Sequence, residues 1–314
     1  MADPAVHLFN GKLYIYPSHD WESGVAEDDT GDHFNMKDYH VFSLDDVENG
    51  KVADHGVVLD VKDIPWAGRQ LWDSDVAHKN GKYYLYFSLK DKNDIFRLGV
   101  AVADRPEGPF KAQPDPIRGS FSIDPCVFED NGSHYIYYGG LWGGQLQRYN
   151  LKNKAYENGG TYPANNESAI PSRVAKLSGD MLQFAEEPRP VALLDKGGSP
   201  ITASDNNRRF FEASWMHKYN GKYYFSYSTG DTHFLCYATG DNPYGPFTYQ
   251  GVILTPVVGW TTHHCITEYK GKWYLFHHDS VPSGGKTWLR SLKVTELKYN
   301  NDGSIQTIEG SLKI

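Results

Sequence analysis

Short runs in which aromatic and β-branched residues dominate recur along the chain, each entered through a glycine. They are Leu13-Tyr14-Ile15-Tyr16, Tyr83-Tyr84-Leu85-Tyr86, Tyr135-Ile136-Tyr137, Tyr223-Tyr224-Phe225 and Trp273-Tyr274-Leu275-Phe276. Ahead of them stand Asn10-Gly11, Asn80-Gly81, Asn131-Gly132, Asn220-Gly221 and Lys270-Gly271. Asn-Gly supplies the positive φ angles of a tight hairpin turn, and such a run is a strand, so each copy predicts the turn and second strand of a hairpin. The first strands are then Val6 to Phe9, Val76 to His78, Val127-Phe128, Trp215 to His217 and Ile266 to Tyr269.

A second phrase, Ala101-Val102-Ala103-Asp104-Arg105-Pro106-Glu107-Gly108-Pro109-Phe110, returns as Ala238-Thr239-Gly240-Asp241-Asn242-Pro243-Tyr244-Gly245-Pro246-Phe247 and adds outer strands. Turn positions 10, 80, 131, 220 and 270 lie 70, 51, 89 and 50 residues apart, room for four strands plus loops. A β-sandwich with ordinary Asn-Gly hairpins is the plainer alternative. A five-bladed β-propeller explains more, because radial repetition tolerates unequal insertions and fills the chain without helices. No stretch carries a sustained 3.6-residue apolar period with caps, so little helix is expected. One propeller accounts for residues 1–314, with Thr287 to Leu297 and Ser304 to Gly310 as the last strands of the fifth blade and no appended domain.

Composition narrows the function. Of 314 residues, 14% are aromatic, including 22 Tyr and 8 Trp, which excludes a disordered chain. A net charge of −8 without a run of basic residues argues against nucleic acid as a partner. No apolar stretch reaches the roughly 18 residues of a membrane span. The start lacks the charged and apolar segments of a signal peptide, and Cys126, Cys236 and Cys265 form no spaced pair. A cytoplasmic home is expected, with secretion after leader removal as the alternative. Cys126 and Cys265 have no identifiable base or oxyanion partner and read as buried structural thiols.

Counting back seven residues from each turn gives Asp3, Asp73, Asp124, Ala213 and His263, with Glu212 one step beyond Ala213. A lone surface carboxylate is ordinarily a solvated turn residue. In a propeller, however, equivalent inner-strand residues converge at one mouth of the central channel. Proline beside Asp3 and Asp124, and Phe210-Phe211 beside Glu212, surround these acids with constrained or apolar neighbours. Carboxylates gathered there cannot all ionise, and their separation into acid and base is the equipment for glycosidic hydrolysis.

These motifs resemble glycoside hydrolase family 43, over essentially the whole chain: Ala2-Asp3-Pro4, Ile123-Asp124-Pro125, Glu212 ahead of Trp215-Met216-His217, and His263-His264 ahead of Lys270-Gly271-Lys272-Trp273. The resemblance implies inversion, with Asp3 as general base, Asp124 as the carboxylate that orients and tunes, and Glu212 as general acid. Trp72 is then a wall of the sugar pocket, with a core Trp as the plain alternative. Asp73, where the family commonly has alanine, adds a polar contact. Arg290 resembles an arginine near the substrate, its alternative being a surface residue. His263, or His264 beside it, resembles the histidine that holds a Ca2+ ion otherwise coordinated by water; chemistry alone favours a core histidine. Invertase-like family 32 propellers carry N-D-P-N, R-D-P and E-C, which this chain does not match. The implied activity is exo-acting release of xylose from short β-1,4-xylo-oligosaccharides, with α-L-arabinofuranosidase side activity. Arabinofuranosidase or arabinanase as main activity, and a non-catalytic carbohydrate-binding propeller, are the alternatives. The long polar insertion between Tyr16 and His40, including the acidic stretch Glu22 to Asp32, reads as a solvated lid that walls one side of the mouth and favours the exo assignment.

Overall fold

The computed structural model describes residues 1–150, 153–260 and 263–312. All five predicted turns carry two residues with positive φ: Asn10, Asn80, Asn131, Asn220 and Lys270 lie between 47° and 52°, and the glycines after them between 74° and 80°. That twist matches the flanking antiparallel strands. Lys270 takes the same left-handed conformation without asparagine's side chain.

Each hairpin opens one blade. Blade 1 is Ala2–Phe9, Lys12–Ser18, Asp38–Leu44 and Val52–Asp60. Blade 2 is Ala67–Lys79, Lys82–Asp91, Phe96–Ala103 and Lys111–Ala112. Blade 3 comprises Cys126–Asp130, Ser133–Tyr138, Arg173–Lys176 and Arg189–Pro190. Blade 4 comprises Glu212–Tyr219, Lys222–Ser228, Leu235–Gly240 and Phe247–Leu254, with Leu193–Leu194 added in parallel at its edge. Blade 5 holds Cys265–Tyr269, Lys272–Asp279 and Ser291–Leu297. The five first strands touch in cyclic order, blade 5 meeting blade 1, which closes a five-bladed propeller. Among the described residues the only helical turns are short 3₁₀ pieces, and no helix is long and apolar enough to cross a membrane.

The outer edge of blade 5 departs from the expectation. Tyr299 pairs with Ile305, but the segment then crosses to blade 4, where Ile308 bridges Leu254 in parallel. Ile308 N donates to Ile253 O at 2.7 Å, and Thr255 N to Ile308 O at 3.0 Å. Ser304 to Gly310 therefore ties two blades together instead of completing the fifth.

The last residue of the repeated phrase fastens blade to blade. Tyr16 Oη donates to Pro106 O at 2.8 Å, Tyr86 Oη to Met181 O at 2.8 Å, and Tyr137 Oη to Pro243 O at 2.6 Å. Pro106 and Pro243 are the matched prolines of the second repeated phrase. In blade 4 the same position is Ser226, whose Oγ lies 2.6 Å from His264 Nε2 of blade 5. Asp75 works alongside: its carboxylate lies 2.5 Å from His7 Nε2 of blade 1 and accepts from Val127 N of blade 3 at 2.6 Å. A buried donor or acceptor left unsatisfied costs about 1–3 kcal/mol. Tyr86→Phe, which leaves Met181 O without its donor, is therefore expected to lower stability by about 1–3 kcal/mol, and Asp75→Ala, which removes the partner of both His7 Nε2 and Val127 N, by more, read from chemical denaturation midpoints at unchanged slope.

Candidate active site

The residues singled out at one register meet at one mouth of the channel. Asp3, Asp73, Asp124, Glu212, His263, Trp72 and Arg290 all line a single cavity of about 240 Å³. Typical pockets for larger ligands enclose roughly 300–1,000 Å³, so this one is on the scale of one sugar ring. Backbone strain explains how inner strands aim side chains into it. Asp3 and Asp124 have φ of 48° and 60°, and Ala213 takes the corresponding place at 62°. The ladder slips at this level in blades 1, 2 and 4, between Ala2 and Ala5, Trp72 and Ser74, and Glu212 and Trp215. The kink turns side chains on either side of it toward the axis, so Glu212 reaches the cavity one residue out of register.

Asp3 is 4% exposed and accepts from Arg290 Nη1 at 2.8 Å. The Arg290 side chain is only 9% exposed and is held by Asp20, whose carboxylate accepts from Nη2 at 2.6 Å and Nε at 3.0 Å. The surface alternative for Arg290 is thereby excluded. Its planar guanidinium bridges the two acids and lies 4.9 Å from the Phe34 ring. His263 Nδ1 lies 2.8 Å from Asp73 Oδ1 and 3.9 Å from Asp3 Oδ1. Asp124 Oδ2 accepts from Ala213 N at 2.8 Å, which orients it from the strand that carries Glu212.

Burial and like charge set the proton affinities. Burial pushes Asp3 above the ordinary carboxylate range, Arg290 opposes this, and Asp73 adds to it. Burial, Asp73 and Glu212 hold Asp124 well above that range. Burial acts upward on Asp73 too, but His263 overcomes it and holds Asp73 low. His263 is raised despite burial, by Asp73, Asp3 and Glu212. The site thus sets carboxyl groups of raised and lowered proton affinity side by side, which suits acid–base chemistry.

Trp72 is both wall and core: it lines the cavity and packs with Met36, Phe96 and Ile123. His263 faces the cavity, whereas His264 is fully buried, engaged with Ser226 and absent from the lining. The lid forms as expected, with Glu27, Asp28, Asp29, Gly31, His33, Phe34 and Met36 along one wall. It reaches across to blade 3, where a Cβ on Gly143 would stand 2.7 Å from Thr30 O. Sequence reasoning missed Trp142 and Trp260, which line the cavity with ring centroids 5.6 Å apart and planes tilted by 32°, and the anchoring Asp20. The glycine-rich break at Gly139-Gly140-Leu141-Trp142-Gly143-Gly144 was the available signal for Trp142; Trp260 and Asp20 had none.

A propeller that collects carboxyl groups of unequal proton affinity in a ring-sized cavity has the makeup of a glycoside hydrolase. Residues 2–305 match the family model described as glycosyl hydrolases family 43, and the chain belongs to that family. It is 74% identical to a xylosidase/arabinosidase of Bacteroides ovatus, over 99% of this chain and 95% of that protein. Identity is 63% with a β-xylosidase of Xylanibacter ruminicola, over 98% and 97%. The solved structure of RS223 β-xylosidase superposes with a TM-score of 0.97 at 71% identity, covering 99% of this chain and 96% of that one. CoXyl43, a β-xylosidase/α-arabinofuranosidase from a compost metagenome solved with xylotriose in a calcium-free form, gives 0.95 at 60% identity, covering 98% and 94%.

Arg290 is the counter-charge that restrains the upward shift of Asp3. In Arg290→Met the Asp3 carboxyl is expected to titrate at higher pH than in the unaltered protein, measured by carbon-13 NMR of labelled aspartate, with Asp3→Asn identifying the resonance.

Proposed function

We propose that this hydrolase releases xylose from the non-reducing ends of short β-1,4-xylo-oligosaccharides by inversion, with side activity on α-L-arabinofuranosides. The observation that carries this reading is a lid-walled cavity of about 240 Å³ with Asp3, Asp124 and Glu212 in its lining. A pocket closed on one side admits a chain end, whereas internal cleavage needs an open groove. The relatives at 74% and 63% identity, a xylosidase/arabinosidase and a β-xylosidase, support the pentose assignment. Xylopyranose and arabinofuranose present similar hydroxyl patterns to one pocket, which accounts for dual activity. Three buried free cysteines are in keeping with a cytoplasmic enzyme that meets imported oligosaccharides.

In this reading Glu212 gives its proton to the glycosidic oxygen as the bond to the anomeric carbon breaks. Asp3 takes a proton from the water that attacks that carbon on the opposite face, so the product has inverted configuration. Arg290 fixes the Asp3 carboxylate and favours its ionised form. Asp124 is tied to the strand of Glu212 and its charge state influences the Glu212 proton. Trp72, Trp142 and Trp260 supply apolar faces for the sugar ring, and Asp73 a polar contact.

His263, Asp73 and Asp3 each offer a ligand atom within 4.8 Å of the others. Two carboxylates and one imidazole fit a hard divalent cation that completes its shell with water, and a Ca2+ ion is proposed at His263 on this donor set. The ion would supply positive charge that keeps the neighbouring carboxylates ionised. His264, committed to Ser226, is the weaker candidate.

Glu212→Ala is expected to slow xylobiose hydrolysis by about 10²–10⁴-fold, the usual worth of general acid catalysis, but an aryl xyloside with a good leaving group far less. Equal losses on both substrates contradict the assignment, and an NMR time course showing the substrate's anomer first excludes inversion. Stripping Ca2+ with a chelator is expected to lower kcat/KM and its return to restore it; full activity after metal analysis shows removal discards the ion from the scheme.

A further inference from the structure

The lid leaves blade 1 after Ser18 and rejoins it at Asp38, so residues 19–37 hang on two adjacent stalks. His19 is the first residue of one stalk, and Asp38 begins the strand that receives the other. His40 lies two residues further on the same strand face. His19 Nδ1 lies 2.5 Å from Asp38 Oδ1, and the rings of His19 and His40 meet edge to face at 4.9 Å. His19, Asp38 and His40 each present a ligand atom within 4.8 Å of the others. Their side chains are 24%, 11% and 18% exposed, which shields the cluster yet leaves an entry path from solvent. From the fourth strand, Asp54 lies 3.0 Å from His40 Nδ1. This carboxylate–histidine pairing favours the proton on Nδ1 and the lone pair on Nε2.

We propose that His19, Asp38 and His40 form a second metal site, for a borderline divalent cation such as Zn2+, that pins the neck of the lid. Two imidazoles and one carboxylate are the donors of open zinc sites, with ligand bonds of about 2.0–2.2 Å and water in the fourth place. Ca2+ is disfavoured because two of the three donors are nitrogen. The ion takes the place of any proton shared between His19 and Asp38, which passes to solvent. The stalks are otherwise joined here by the His19–Asp38 contact, the His19–His40 ring contact and Lys37 Nζ 5.4 Å from the Trp21 ring, so a metal bond across them changes how readily the lid lifts. The next residue after His19 is Asp20, which holds Arg290 and through it Asp3. Further along, Glu22 accepts from Lys286 Nζ at 3.0 Å and from Trp288 Nε1 at 2.9 Å. Occupancy of the neck therefore reaches the cavity through the chain itself.

The test uses the full chain stripped of metal, titrated with Zn2+ by calorimetry and with Co2+ by visible absorption, while hydrogen exchange is followed in residues 20–37. The unaltered protein and His263→Ala are expected to bind one equivalent that His40→Ala lacks. If opening of the lid requires release of the ion, exchange slows about 100-fold at a free Zn2+ concentration 100 times the dissociation constant. Ca2+ at the same concentration should give no such protection, and His40→Ala should keep the metal-free exchange rates and melting temperature. His40→Gln serves in place of His40→Ala if the latter does not fold. Equal stoichiometry in the unaltered and His40 variants overturns the site; binding without slower exchange in 20–37 overturns the pinning.

Discussion

Closure of the ring governs everything else in this molecule. Five sheets of unequal size must bring their first strands to a common axis, and each sheet face must be covered by the next blade. Apolar packing alone does not set the angle between neighbours, because it is non-directional. Buried hydroxyl-to-carbonyl bonds do. Tyr16, Tyr86 and Tyr137 each reach one carbonyl of the following blade, and Ser226 reaches His264. Phe276, at the same place in blade 5, has no hydroxyl to offer. Instead Thr267 Oγ1 of that blade donates to Val6 O of blade 1 at 2.8 Å, and the C-terminal segment straps blade 5 back onto blade 4.

With the axis fixed, charge becomes the second constraint. Asp3, Asp73, Asp124 and Glu212 are forced together in a place with little water, which no single carboxylate would tolerate as a full negative charge. Compensation comes from Arg290, clamped between Asp20 and Asp3, and from His263 beside Asp73. The arrangement leaves Asp73 low and Asp3 and Asp124 high, so protons are distributed unequally among similar groups. Arg290 restrains the rise at Asp3, which the proposed scheme uses as a base, while Asp124 and Glu212 oppose each other's negative charge.

The lid joins these two constraints. It is rooted in the two middle strands of blade 1, yet Asp20 supplies the second anion for Arg290, and Phe34 O accepts from Trp72 Nε1 at 2.7 Å. A long polar insertion thus stays ordered over a cavity because its own residues complete the charge balance and the hydrogen bonding beneath it.

The five hairpins were legible in the sequence because turn chemistry and period-two patterning are local: Asn80-Gly81 takes its φ angles whatever packs around it. The shared offset of Asp3, Asp73, Asp124 and His263 was legible for the same reason, since equal counting from equal turns gives equal places on a strand. Glu212 was out of step in the sequence, and only the folded strand explains it, with Ala213 taking the positive-φ place and the ladder slipping there. Whether Arg290 served the surface or the site, and which of His263 and His264 faced the cavity, depended on partners 38 to 287 residues away. Asp20 and Trp260 left no signal, because their roles exist only once blades 1, 4 and 5 surround one cavity. The sequence by itself determined the repeated hairpin and the list of ionisable groups it carries. Tertiary structure alone decided which of those groups meet, because burial and opposite charge act through space and not along the chain.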